Sequence, residues 1–163
     1  MERVPENRSG AVFRPMLKGC IARDLRMAQM VEESRQVLLC TVAAHSYRGL
    51  LLAERFPEAA RMFEELVDGE IELYRLLGEL ALVLGGNPVP NVQIRMRAAD
   101  LSPCAAERNV SRFLREALYE KKSLIDRFQT MMGRTGDRVL RSVLAHLLTA
   151  LHEQAESISR LSV

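Results

Sequence analysis

The chain has 163 residues, of which 48% are hydrophobic and 27% charged, with no tryptophan and a formal net charge of +2. This length is sufficient for one domain with a sizeable buried core. The small net charge gives no electrostatic reason to expect binding to nucleic acid or to a membrane surface. The longest apolar runs, such as residues 80–84, are far too short to span a bilayer.

The cysteines and the N-terminus indicate where the protein is expected to reside. Cys20, Cys40 and Cys104 are odd in number and form no Cys-x-x-Cys pair. This pattern argues against a disulfide framework and a structural zinc site, and it fits a reducing cytoplasm. Residues 1–10 are charged and lack the apolar run of a signal peptide. We therefore expect an N-terminal tail over residues 1–20, followed by one helical domain.

Two long helices joined by a tight turn are predicted in the first half of the chain. Apolar residues recur at steps of three and four between residues 21 and 55, which indicates an amphipathic helix. Pro57 suits the first turn of the second helix, because its missing N–H has no helical partner to lose. This second helix is predicted to end near Leu84, since Gly85 and Gly86 follow it directly.

The second half of the chain predicts two further helices after a long connection. Residues 87–101 are too long for a simple turn and can carry the chain along a bundle, so that helices two and three run parallel. Ser102 and Pro103 are typical of a helix start, and the third helix is predicted over 103–132. Asp137 opens a fourth helix that ends near residue 161. The predicted fold is therefore an all-α four-helix bundle with a long crossover between helices two and three.

Two short motifs carry a resemblance to a known superfamily. Residues 40–47 read Cys-Thr-Val-Ala-Ala-His-Ser-Tyr, and residues 70–73 read Glu-Ile-Glu-Leu. With the helix order, they resemble Glu-x-x-Ala-x-x-x-Tyr and Glu-x-x-His of ferritin-like proteins, nearest to small bacterial members related to rubrerythrin and manganese catalase. The resemblance covers roughly residues 24–161 and implies a ferritin-like bundle. Such bundles bind two metal ions, using carboxylates and Glu-x-x-His pairs whose side chains share one helix face.

The same resemblance implies that the metal centre is degenerate. Three Glu and two His are replaced, and one Glu is kept, at the six positions that correspond to the family's ligands. These vestigial positions are Cys40, Glu70, Leu73, Lys121, Leu151 and Gln154. Tyr47 is retained and Phe128 stands where Tyr is usual, so both are candidates for a second shell around the site. One carboxylate beside an ammonium cannot hold two divalent ions. We therefore expect no metal cofactor and no catalytic residue.

Several of these assignments leave alternatives open. A one-residue slip in the third helix would place Glu120 at the carboxylate position and rotate the helix by about 100°. With Lys121 inward, a buried ion pair with Glu70 is expected. Otherwise Lys121 reaches the surface, and Glu70 bonds to Tyr47 or Gln154.

Cys40 and the three histidines are expected to have structural roles. Cys40 is expected to be a small inward hydrophobe, the alternative being a redox-active thiol near a lysine. His45 and His152 are predicted to point away from the inward face, and the spacing of His146 from His152 is poor for metal ligation. All three histidines are therefore expected to be solvated or packed on a flank.

These features predict a ferritin-like protein without a functional dimetal centre, with a structural or protein-interaction role rather than an enzymatic one. The resemblance implies a bacterial cytoplasmic protein. We expect a homodimer with an unidentified protein partner, binding neither nucleic acid nor membrane. The alternative is an iron- or manganese-dependent oxidoreductase or peroxidase of the rubrerythrin or manganese catalase type, using a shifted ligand set. Binding of a small apolar ligand in the vacated site is a third class, which no residue supports.

Overall fold

The described part of the chain folds into four long helices. The computed structural model describes Leu17 and residues 19–89 and 109–162. The helices are α1 (Leu25–Leu52), α2 (Pro57–Val83), α3 (Val110–Arg134) and α4 (Arg138–Leu161), and no strand occurs in the described residues. The prediction of an all-α four-helix protein is confirmed. None of the described helices is both long and apolar enough to cross a membrane.

The ends of the helices follow local capping. The Asp24 side chain accepts a hydrogen bond from the backbone N–H of Met27, so α1 begins at Leu25 rather than near residue 21. Asp137 caps α4 in the same way, as its position in the sequence predicted. Its carboxylate also accepts a hydrogen bond from the backbone N–H of Ala22, which ties the chain before α1 to the turn between α3 and α4.

The third helix begins later in the chain than predicted. Asn109 has an extended backbone, and its side chain accepts a hydrogen bond from the backbone N–H of Arg112. A helix running unbroken from residue 103 is therefore excluded, and α3 begins at Val110. The proposed signal at Ser102 and Pro103, residues 90–101 of the predicted crossover and most of the predicted tail lie outside the described residues.

The directions of the helices follow from contacts near their ends. Arg48, late in α1, pairs with Glu116, early in α3, whereas Arg134 at the end of α3 contacts Met30 early in α1. α1 and α3 are therefore antiparallel. A tight turn also makes α1 and α2 antiparallel, so α2 and α3 run in the same direction. Since α1 and α4 each pack against both α2 and α3, the latter two lie diagonally across the bundle.

Two apolar clusters fill the bundle, and a polar layer separates them. Along α2, Leu66 belongs to one cluster and Leu73 to the other. Along α3, the corresponding residues are Ala117 and Leu124. Between these pairs, Glu70 of α2 and Lys121 of α3 carry charged side chains that are turned to the interior. This layer is the only buried position in the described core where opposite charges from different helices meet, and we take it as the candidate site.

Candidate functional site

Each of the four helices places one polar side chain in the central layer. These residues are His45 of α1, Glu70 of α2, Lys121 of α3 and Gln154 of α4. Apolar residues one turn before and after Glu70, Lys121 and Gln154 hold the helices together above and below the layer. The helical period therefore turns these polar groups inward along with the core residues.

The ion pair predicted between Glu70 and Lys121 is confirmed. Lys121 Nζ lies 2.5 Å from Glu70 Oε1, and neither side chain is exposed to solvent. The inward orientation predicted for Lys121 is therefore also confirmed. The two atoms are within ion-pair distance, but Nζ lacks the geometry of a hydrogen bond to any acceptor in the described residues. Thr41 supplies a further, longer contact to Glu70, from its hydroxyl to Oε2 at 3.4 Å.

His45 is buried in the same layer, so the expectation that it points to solvent or a flank is wrong. Its Nδ1 lies 2.6 Å from Glu70 Oε1 and its Nε2 lies 3.1 Å from Glu120 Oε2. An ionised carboxylate only accepts hydrogen bonds, so both ring nitrogens must donate. With both carboxylates ionised, this geometry favours an imidazolium at His45. Burial alone would lower the pKa of His45, but its bonds to Glu120 and Glu70 outweigh this and raise it.

Glu120 links the buried layer to the surface. Besides His45, it accepts two hydrogen bonds from the Arg48 guanidinium, at 3.0 Å each. Arg48 also donates to Glu116 at 3.1 Å. These bonds to His45 and Arg48 outweigh the effect of burial and lower the pKa of Glu120 to about 2. The outer side of this group lines a shallow cleft of about 450 Å³, together with Tyr119 and two further arginines of α3.

The charges of the cluster balance within the chain. The cations His45, Arg48 and Lys121 face the carboxylates of Glu70, Glu116 and Glu120. Burial alone would raise the pKa of Glu70, but His45 and Lys121 together lower it. Burial lowers the pKa of Lys121, and the neighbouring Glu70 opposes that effect. Opposite charges supplied by the protein therefore keep Glu70 ionised without any bound ion.

The other positions that the resemblance identified as vestigial, and the two second-shell candidates, differ in burial. Leu73, Leu151 and Phe128 are buried in the apolar core. Tyr47 is half-buried, and no hydrogen bond joins it to Glu70 in the described residues. Cys40 is exposed, so the prediction that it faces inward is wrong.

The error at Cys40 is one of helical register. Thr41, the next residue, is buried and contacts Glu70, and a shift of one position turns a side chain by about 100° around the axis. The same shift brings His45, four residues further on, into the interior. His146 and His152 are exposed, as predicted.

Gln154 reaches the layer because α2 has a glycine opposite it. A Cβ at Gly69 would lie 2.7 Å from Gln154 Nε2, so the amide occupies the space that a side chain would need. The Oε1 atom of Gln154 is buried and has no hydrogen-bond partner in the described residues.

The donor set is suited to charge pairing rather than to metal ligation. Glu70 Oε1 faces two cationic groups, and Lys121 places an ammonium where a metal ion would have to approach. In residues 19–89 and 109–162, no group of three or more His, Cys, Asp and Glu side chains is arranged to hold a metal ion. The residues present therefore do not fit the dimetal group that the resemblance implies, and no metal-dependent step is assigned to them.

Most residues of this cluster were not predicted from the sequence. Thr41, His45 and Arg48 recur at steps of four and three residues, and Glu116 and Glu120 are four residues apart. The spacing of the first set places its members on one helix face, which could have identified them. This helix face was not recognised because the alignment with the family motif placed Cys40 inward instead.

Comparison of the chain with protein-family models, curated proteins and solved structures gave no match.

Proposed function

We propose that this protein is a ferritin-like helical bundle in which a buried charge cluster has replaced the dimetal centre, and that its role is structural or interactive rather than catalytic. The single observation that carries the proposal is the ion pair between Glu70 and Lys121, fully buried at the middle of the bundle. In a dimetal bundle the carboxylates there are neutralised by metal ions. In this chain Lys121 and His45 provide that positive charge.

The arrangement of the described helices supports the proposal. α2 and α3 run in the same direction and lie diagonally, which a ferritin-like order with one long crossover requires. The polar layer takes one residue from each helix, and three of its four members stand at positions that the family uses for ligands: Glu70, Lys121 and Gln154. Leu73 and Leu151, which stand for two further ligands, supply only apolar surface.

Metal analysis tests the proposal directly. Protein purified and reconstituted with iron or manganese should retain well under one ion per chain after desalting. Two tightly held ions per chain would overturn the proposal and favour the oxidoreductase or peroxidase alternative. Isothermal titration under anaerobic conditions would give the same answer without depending on activity.

A restored variant provides the positive control. It carries the five substitutions Thr41→Glu, Leu73→His, Lys121→Glu, Leu151→Glu and Gln154→His. Thr41 is chosen over Cys40 because it is the buried residue that contacts Glu70. If the positions are vestigial, the variant should be helical by circular dichroism once metal is added, and it should bind about two ions per chain. A variant that folds but binds no metal would show that the ligand frame is wrong.

The expected homodimer is part of the same proposal. Sedimentation velocity at micromolar concentration should give twice the mass of one chain. A single species at the mass of one chain would remove the homodimer from the proposal and leave the degenerate centre untouched.

A further inference from the structure

The two helices that meet through Glu70 and Lys121 carry opposite net charge. α2 has seven acidic and two basic residues, whereas α3 has six basic and three acidic residues. Because α2 and α3 lie diagonally across the bundle, one edge of the bundle is acidic and the opposite edge is basic. The net charge of the chain, which is only +2, does not reveal this separation.

Each of these two helices has an outward stripe of side chains, and the two stripes have the same spacing. The α2 stripe is Glu64, Asp68, Ile71 and Arg75. The α3 stripe is Arg115, Tyr119, Lys122 and Asp126. All eight residues are exposed, and steps of four, three and four residues place each set on one helix face. The large side chains of Ile71 and Tyr119 are 51% and 76% exposed, so each stripe also offers apolar surface between its charges.

The buried ion pair fixes the height of the two stripes along the bundle. Glu70 and Lys121 are in contact, and their helices run in the same direction. Each stripe begins six residues before its own member of this pair. The four positions of the α2 stripe therefore lie at the same four heights as those of the α3 stripe, and Glu64 is level with Arg115.

The two stripes face in opposite directions. Each lies about 130° around its helix axis from the buried residue of that helix, Glu70 or Lys121. The inward directions of two diagonal helices are opposed, so the directions of their stripes are opposed as well. A second copy that is displaced sideways, without rotation, therefore brings its α2 stripe onto the α3 stripe of the first copy.

We propose that the α2 stripe of one copy docks on the α3 stripe of the next; this inference rests on the interactive role proposed above and identifies the partner as a second copy of this chain. At equal heights, the carboxylate of Glu64 meets the guanidinium of Arg115, and one end of the contact is thereby neutralised. At the other end the signs are exchanged, since Arg75 meets Asp126.

The middle of the contact combines charge with apolar surface. Lys122 is within one turn of Asp68, and the Tyr119 ring packs on Ile71. Glu64, Asp68, Arg115 and Lys122 form no ion pair within the part of the chain that the structure describes, so the contact does not have to break one. The exposed charge pairs are weakened by salt, and the association is therefore expected to be salt-sensitive.

This contact differs from that of a twofold dimer. It uses a different surface on each copy, so two joined copies leave one α2 stripe and one α3 stripe free. Two copies are therefore the first product, and association continues as the protein concentration rises.

Charge reversal tests the contact, with sedimentation velocity at low ionic strength over a range of concentrations as the measurement. Arg115→Glu and Glu64→Arg should each weaken self-association by roughly tenfold or more, because like charges then meet. The chain with both substitutions should associate as wild type does, since the pair is restored with its signs exchanged. Arg127→Glu is the matched control: it makes the same change of charge at an exposed position of α3, about 100° around the axis from Asp126, and should leave association unchanged.

The possible outcomes separate this contact from the proposed function. A mass that stays at twice that of one chain, unchanged by Arg115→Glu and Glu64→Arg, would overturn the stripe contact and leave the homodimer standing. A double variant that keeps its helices by circular dichroism but does not associate would also overturn it. A wild-type chain that stays at the mass of one chain would remove both the contact and the homodimer, as expected if another protein is the partner. Metal binding would still test the degenerate centre by itself.

Discussion

Lys121 on α3 and Glu70 on α2 form an ion pair across the diagonal of the bundle, with Nζ 2.5 Å from Oε1 and neither side chain exposed. Their helices are not packing neighbours, so the pair joins elements that otherwise meet only through α1 and α4. A buried pair of this kind adds little stability compared with an apolar pair. Removing one partner is costly, because a charge then stays buried without compensation.

The first prediction concerns the coupling of this pair. Lys121→Met should lower the free energy of unfolding by about 3 kcal/mol, the low end of the usual range, since His45 still neutralises part of the charge of Glu70. Adding Glu70→Gln should recover much of the loss, because both charges are then absent. Urea unfolding of the two single variants and the double variant measures this coupling.

The control for the first prediction is the neighbouring lysine. Lys122 is exposed, so Lys122→Met should change stability by less than about 0.5 kcal/mol. Additive effects of the Glu70 and Lys121 substitutions would show that the two residues are energetically independent, in conflict with the observed contact.

The second prediction concerns His45 and alkaline pH. The folded protein raises the pKa of His45 above its ordinary value of 6.5, because two carboxylates accept from its ring. Its contribution is therefore fully present below pH 6.5 and is lost as the pH rises through the folded-state pKa. His45→Phe should lower the free energy of unfolding at pH 6. The difference in this free energy between the variant and wild type should become smaller at alkaline pH.

Urea unfolding at a series of pH values would measure this narrowing, and the ring-proton NMR titration of His45 would give the pKa itself. His152→Phe is the matched control, since His152 is exposed, and it should track the wild type throughout. If the free energies of unfolding of His45→Phe and wild type differed by a constant amount from neutral to alkaline pH, the imidazolium assignment would be contradicted.

The third prediction concerns Glu120 and acid. Its pKa is lowered to about 2 by its bonds to His45 and Arg48. The stability that it contributes is therefore present above its ordinary value of 4.5 and is lost as the pH falls toward about 2. Glu120→Gln should be less stable than wild type at neutral pH and should lose less on acidification. Glu64→Gln, at an exposed position, should behave as wild type in the same acid unfolding series.

The fourth prediction concerns the cap of α4. Asp137 accepts hydrogen bonds from the backbone N–H groups of Val139, Leu140 and Ala22. Asp137→Ala should cost about 1–2 kcal/mol, because it removes the cap of α4 and the tie to the chain before α1. Thermal unfolding measures the loss. Asp126→Ala, on an exposed position of α3, should cost markedly less, and equal losses would indicate that capping is not the cause.

The sequence pattern located most helix ends because these depend on local chemistry. Pro57 and Asp137 mark helix starts in the structure as they do in the sequence. The start of α3 was misplaced because Ser102 and Pro103 are also good start signals, and local propensity did not distinguish them from Asn109. Glu70 and Lys121 were paired correctly, since the apolar stripes of their own helices fix which way they face.

By itself, the sequence determined the helical class, the number of long helices and the presence of charge at the middle of α2 and α3, because apolar periodicity and capping act within a few residues. Only the tertiary structure decided which side of α1 faces the layer. From residue 37 to residue 47, α1 has no Asp, Glu, Lys or Arg, so its pattern left open whether Cys40 or Thr41 pointed inward. Packing against α2 and α3 turns Thr41 inward and leaves Cys40 on the outer side. It thereby buried His45 between the carboxylates of Glu70 and Glu120, where burial is possible because both ring nitrogens find an acceptor.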